Sequence, residues 1–232
     1  MTYTFLKSLL PIGVIAMGIL TADTAHASLI TYSTSGLFGC NGIAGCSVNA
    51  AGNIATISGF TITYAAQAVT NVNTPPPVSS ANFGEITVVG PAGGSVNLTS
   101  LLLSISVLQT GPFVPAVTQS WTGIATGTVA VTAGGVSSGF ATLCFVANTC
   151  PNAVESITYT SAAGTIIYRI QTPQNTNPPP TNGYTIRATQ AGSQTAPTSF
   201  QGSVTDAGVP EASTYMMMFS GLCGLGLLRR RS

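Results

Sequence analysis

Val154-Glu155-Ser156-Ile157-Thr158-Tyr159-Thr160, then Ser161-Ala162-Ala163-Gly164, then Thr165-Ile166-Ile167-Tyr168-Arg169-Ile170 is the stretch that decides the fold. Two runs rich in β-branched and aromatic residues flank a four-residue connection, a common hairpin length. Pairing Thr160 with Thr165 places Ile157, Tyr159, Ile166, Tyr168 and Ile170 on one face. Ser156, Thr158, Thr160 and Arg169 then share the other. Turn and pattern agree on one register, and a slip of one residue would turn the apolar set to solvent.

The same period recurs along the chain. Phe60, Ile62, Tyr64, Ala66 and Ala68 alternate with Thr61, Thr63, Ala65, Gln67 and Val69. Leu101, Leu103, Ile105 and Val107 form one face of another strand, against Leu102, Ser104, Ser106 and Leu108. Further strands are expected near Phe83–Val89, Gly123–Thr132 and Gly139–Val146, and no stretch sustains a 3.6-residue period. About ten short strands punctuated by glycine and proline predict an all-β protein, an antiparallel β-sandwich of jelly-roll kind. Pro75-Pro76-Pro77 and Pro178-Pro179-Pro180 are expected in extended loops, because proline cannot donate to a central ladder. Asn73-Thr74 and Asn175-Thr176-Asn177 are expected to share those loops. Asn97-Leu98-Thr99 fits a glycosylation acceptor pattern but is read as a turn into the Leu101 strand.

Both ends of the chain carry another kind of signal. Lys7 closes a short charged region, Ser8–Leu20 is apolar, and Ala25-His26-Ala27 offers a small-x-small cleavage site. At 13 residues the apolar run is too short to span a bilayer, so residues 1–27 are expected to be a signal peptide. At the other end stand Val209-Pro210-Glu211-Ala212, an apolar stretch from Ser213 to Leu228, and Arg229-Arg230-Arg231-Ser232. The apolar stretch is 16 residues, about 24 Å as a helix, and snorkelling arginines make up its deficit. The arginines are expected to hold that end on the cytoplasmic side.

This tripartite tail, residues 209–232, resembles the PEP-CTERM sorting signal of bacterial exosortase substrates. Val209, Pro210 and Glu211 match its motif and Arg229, Arg230 and Arg231 its basic end, while Ala212 stands where a second proline is usual. The resemblance implies processing by an exosortase-like enzyme, with transient membrane anchoring through the C-terminal segment, while the N-terminal pattern implies a signal peptidase. The alternative is an uncut C-terminal anchor. A cell-wall sortase would want an Leu-Pro-x-Thr-Gly motif, which the chain lacks.

Between the two signals lies an expected exported domain, residues 28–208, with 181 residues and room for a full core. Its ionisable side chains, apart from tyrosines and cysteines, are Glu85, Glu155, Asp206, Arg169 and Arg187, a net charge of −1. Two arginines cannot line a groove for nucleic acid. Without histidine or lysine, nucleophilic triads, serine–lysine dyads and histidine-based zinc sites are not available. No enzyme activity, cofactor or metal is therefore expected. A glycosidase pair of Glu85 and Glu155 is the distant alternative, with Asp206 assigned to a linker before the tail.

Cys40 and Cys46 enclose five residues, as do Cys144 and Cys150. In an exported chain four cysteines at matched spacing predict two disulfides, paired locally as Cys40–Cys46 and Cys144–Cys150. Cys40 to Cys144 and Cys46 to Cys150 are each 104 positions apart, and Pro75 to Pro178 is 103. An internal duplication would explain this, although chance in a chain of few residue types is the favoured reading. Trp121, the sole tryptophan, could stack on a sugar ring if exposed, but a core position is favoured.

The expected role is structural or adhesive, in the cell envelope or an extracellular exopolysaccharide or biofilm matrix. A glycan-binding module is the alternative. Sequencing of the exported protein should begin at Ser28. Neutral residues in place of Arg229–Arg231 should weaken cytoplasmic retention of the tail in a topology assay; unchanged retention would remove the positive-inside explanation.

Overall fold

The computed structural model describes residues 28–74, 78–115, 117–145, 154–162, 164–171, 183–193 and 197–207. Ala27–Ala207 forms one compact unit, and the signal-like and sorting-like ends lie outside the described residues. Among the described residues no helix is long and apolar enough to cross a membrane.

Fifteen strands are formed among the described residues. β1 (Ser28–Gly39) leads to a meander of β2 (Cys46–Val48), β3 (Ile54–Ile57) and β4 (Phe60–Ala65). β5 (Thr70–Thr74), β6 (Ser79–Gly90) and β7 (Ser95–Asn97) follow. A second meander joins β8 (Leu102–Gly111), β9 (Gln119–Val131) and β10 (Ser137–Cys144). β11 (Val154–Ser161) and β12 (Gly164–Gln171) make the hairpin, and β13 (Tyr184–Ile186), β14 (Ala188–Gln190) and β15 (Thr198–Asp206) complete the set. One sheet runs β13-β10-β9-β8-β1-β5, with β7 on β9. The other runs β11-β12-β15-β6-β4-β3-β2, with β14 on β6. Every pairing is antiparallel except the three-residue match of β14 with β6.

The hairpin register is the expected one, with Thr160 opposite Thr165 and one further pair, Ser161 opposite Gly164. Its apolar face joins a core supplied by both sheets. The β4 strand stops at Ala65 and does not continue to Val69, because the chain crosses to the other sheet at Thr70. Asn73 and Thr74 are paired in β5 and do not belong to the proline loop; Pro75–Pro77 and Pro178–Pro180 lie outside the described residues. Asp206 is the last residue of β15, opposite Ile166, and not part of a linker.

The twelve-residue β1 is paired on both sides, between β8 and the edge strand β5, yet it carries no clear apolar alternation. Its inward positions are Ile30, Tyr32, Thr34, Gly36 and Phe38, while Leu29 and Leu37 point outward. Gly36 is required because the Tyr64 ring lies where a side chain would be. Thr34 is tolerated inside because its hydroxyl meets Tyr64 Oη at 2.9 Å and donates to the Phe83 carbonyl at 3.1 Å.

Strand order reads the same from both ends when β1 is exchanged with β10, β3 with β11, β4 with β12, β5 with β13, β6 with β15 and β8 with β9. The hairpin closures Ile57–Phe60 and Ser161–Gly164 are 104 positions apart, the cysteine offset. The same offset relates Ile62 to Ile166 and Tyr64 to Tyr168, all buried. Contacts repeat as well: Tyr64 lies 6.3 Å from Phe200, and Tyr168 lies 6.4 Å from Phe83. Each half thus places its tyrosine against the other half's phenylalanine, the reciprocity expected of a two-fold arrangement. The exchange leaves β2, β7 and β14 without counterparts, and the 104-residue offset does not extend to β5 and β13 or to β6 and β15.

All five tyrosines of the unit are buried with their hydroxyls bonded. Tyr32 donates to the Asn82 carbonyl at 2.9 Å, Tyr159 to that of Val107 at 2.7 Å and Tyr184 to that of Gln201 at 2.9 Å. Tyr168 donates to Oε1 of the fully buried Gln109 at 3.0 Å, and Gln109 donates to the Phe113 carbonyl at 2.9 Å. The four tyrosine bonds join one sheet to the other. Burial pushes Tyr32 and Tyr64 up to about 12, and raises Tyr159, Tyr168 and Tyr184 too. In the unfolded chain these phenols ionise near the ordinary value of about 10. The stabilisation tied to these phenols should therefore be fully present below that pH and fall above it, because there only the unfolded state releases the protons. A phenolate titration tracking ordinary tyrosine while the fold persists would contradict this. Tyr168→Phe should destabilise the protein by about 1–3 kcal/mol in denaturant unfolding, since Gln109 Oε1 would be buried without a donor.

Candidate functional site

Cys40 and Cys46 are bonded, with Cα atoms 5.7 Å apart. Gly42 and Gly45 have left-handed backbone, φ +80° and +68°, which lets so short a ring turn back. Backbone bonds from Ile43 N to the Cys40 carbonyl and from Cys46 N to the Ile43 carbonyl hold it. Although local in sequence, the bridge ties the end of β1 in one sheet to the edge strand β2 of the other. Among the described residues this is the one bridge between named partners, where two were expected. Cys144, at the end of β10, is disulfide-bonded too, but Cys150 and Cys223 lie outside the described residues, so a second pairing is not described.

Trp121 is 3 % exposed, on β9, edge-on to Phe83 at a ring separation of 4.9 Å. Its inward position on β9 offers no ring face to a sugar, which removes it as a stacking platform. Its indole Nε1 is buried without a hydrogen-bond partner. Glu155 pairs with buried Ile170 at the core-facing end of β11, whereas Glu85 pairs with Ala65 and Ser199 on the outer face of β6. Three strand spacings, roughly 14 Å, and an offset of four residues along β6 separate them, against roughly 5–9.5 Å for glycosidase pairs. The two carboxylates do not face each other across a cleft. Arg187 sits over the Phe140 ring at 5.8 Å. Among the described residues no three His, Cys, Asp or Glu side chains gather as a metal site. Val209, Pro210, Glu211 and Arg229–Arg231 lie outside them.

What the structure does bring together is a groove of about 390 Å³, between the disulfide loop, the β3–β4 turn and the segment after β7. Asn41, Ser58, Ser95, Asn97, Thr99 and Ser100 face it, with Ile43, Ile57 and Val96 among its apolar lining. Asn97 Oδ1 accepts from Thr99 N at 2.9 Å and Thr99 Oγ1 accepts from Gly127 N at 3.2 Å, which shapes one wall. Sequence reasoning took Asn97-Leu98-Thr99 only as a turn and passed over Ser58 and Asn41. The signal available was weak: Asn41-Gly42 and Ser58-Gly59 are turn dipeptides, and nothing local says that they converge.

Compared with family models, curated proteins and solved structures, the chain matches none.

Cys46→Ser should lower the unfolding free energy by about 2–3 kcal/mol, measured by denaturant titration. Non-reducing peptide mapping should recover Cys40 linked to Cys46. A peptide joining either to the second half of the chain would contradict the bridge.

Proposed function

We propose that this is an exported, non-enzymatic protein sorted by an exosortase-like system, with a structural or adhesive role in the cell envelope or an extracellular polysaccharide matrix. The single observation that best supports the role is the outer face of the β1–β8–β9 sheet. There Ser35, Ser106 and Ser120 stand in one row, and Ser104 and Thr122 in the next with hydroxyls 2.9 Å apart. Thr31, Ser33, Thr110 and Thr126 extend this face, which carries no ionisable side chain and also presents Leu29, Leu37 and Leu108. Its neutral hydroxyl rows present to a hydrated polysaccharide the same donors and acceptors that the polysaccharide presents to itself. The tail's resemblance supports the destination, and the separation of Glu85 from Glu155 removes the plainest catalytic pair.

The finer architecture belongs to the same proposal. Two sheets sharing one core support an antiparallel sandwich of jelly-roll kind, and the oxidised Cys144 supports a second local bridge to Cys150. The glycan-binding alternative no longer rests on Trp121.

The test is co-sedimentation of the purified protein with matrix polysaccharide from producing cells, at low and moderate ionic strength. Association should change little with salt, because so few charges are available to screen. A steep loss would replace this reading with an electrostatic partner. Turnover of polysaccharide abolished by Glu85→Gln or Glu155→Gln would overturn the non-enzymatic part.

A further inference from the structure

We propose that the groove between the Cys40–Cys46 loop and the segment after β7 is a binding site for a neutral saccharide. Its size falls within the usual range for ligand sites, roughly 300–1,000 Å³. None of its lining residues is ionisable. Phosphates, nucleic acid and metal ions would find no countercharge there. Its polar side chains are hydroxyls and amides, groups that both donate and accept, as sugar hydroxyls do. Among the described residues, the side chains of Asn41, Ser58, Ser95 and Ser100 make no hydrogen bond to protein, so their polar atoms are free for a ligand. Ile43, only partly buried, supplies an apolar patch suited to the C–H face of a pyranose ring, backed by the buried Ile57 and Val96.

Backbone strain points to the same place. Among the described residues three that are not glycine have left-handed backbone: Asn41 at φ +36°, Ser58 at +49° and Ser100 at +77°. All three line this groove. Such conformations are uncommon outside glycine and gather where a site is held in shape. The disulfide holds one wall and the type I′-like β3–β4 turn, with Ser58 and Gly59 both at positive φ, holds another. With no aromatic ring in the lining, affinity should be modest, on the order of 1 mM, and suited to repeated weak contacts along a polymer.

The proposal rests on the matrix role for its biological setting but not for its geometry, and its test uses soluble sugars. The purified, isotope-labelled protein is titrated with neutral trisaccharides of glucose, mannose and N-acetylglucosamine up to about 10 mM, and backbone amide shifts are followed. At least one trisaccharide should move amides of Asn41–Ala44, Ser58 and Ser95–Ser100 together. Ser95→Tyr, which fills the groove from an exposed position, should weaken that response at least tenfold while the remaining spectrum stays native. Absence of shifts with all three sugars, shifts confined to another face, or undiminished binding by folded Ser95→Tyr would each overturn the site. Any of those results together with intact matrix association would leave the broader reading standing. Loss of matrix association by the unaltered protein would instead overturn that reading.

Discussion

Phenolic hydroxyls tie the two sheets to each other. Tyr32, Tyr159, Tyr168 and Tyr184 each bury a ring in the shared core and reach across to a carbonyl or amide oxygen of the opposite sheet. A buried ring contributes apolar area on the order of 150–250 Å², but its hydroxyl is costly if left without a partner. Both conditions are met only when the sheets sit at one distance and one register. The arrangement therefore specifies the fold as well as stabilising it, in a chain with almost no charge to do so. The reciprocal contacts Tyr64–Phe200 and Tyr168–Phe83 repeat the constraint in each half.

Scarcity of charge has consequences at the surface. Solubility falls to Ser, Thr, Asn and Gln, and the strand period sends these residues outward in rows. The outer face of the β1–β8–β9 sheet and the groove beside the disulfide are two expressions of one composition, rows of hydroxyls interspersed with leucines and a concave patch of hydroxyls and amides. Recognition by either would depend on hydrogen bonding and shape, and little on ionic strength.

The register of the hairpin Val154–Ile170 was legible because its alternation fixes it, although the strands run one pair further than expected, to Ser161 and Gly164. The strand faces around Leu103 and Ile62 were legible for the same reason. β1 was not, since Thr34 and Gly36 stand on its inner face for the sake of Tyr64, a partner thirty residues away. β15 was hidden similarly: Gly202 lies against Phe83 and the Arg169 backbone, and a register shift falls between Ser199 and Gln201. In the sequence the matched halves showed only as spacing, and the strand order adds a second likeness that spares β2, β7 and β14. Site residues were the least legible. Trp121 drew notice by its rarity and proved internal, while Asn41, Ser58 and Ser100 are ordinary turn residues whose convergence is a property of the tertiary fold.

The central claim is that this charge-poor β unit is delivered outside the cytoplasm and released by cutting behind it. The most direct measurement is the intact mass and location of the protein in cells with and without the sorting peptidase. With the peptidase, the account predicts a matrix-associated form that lacks Met1–Ala27 and Ser213–Ser232. Without it, the protein should remain in the membrane fraction with its tail attached. Released protein that still carries Ser213–Ser232, or the same mass and location in both strains, would contradict it.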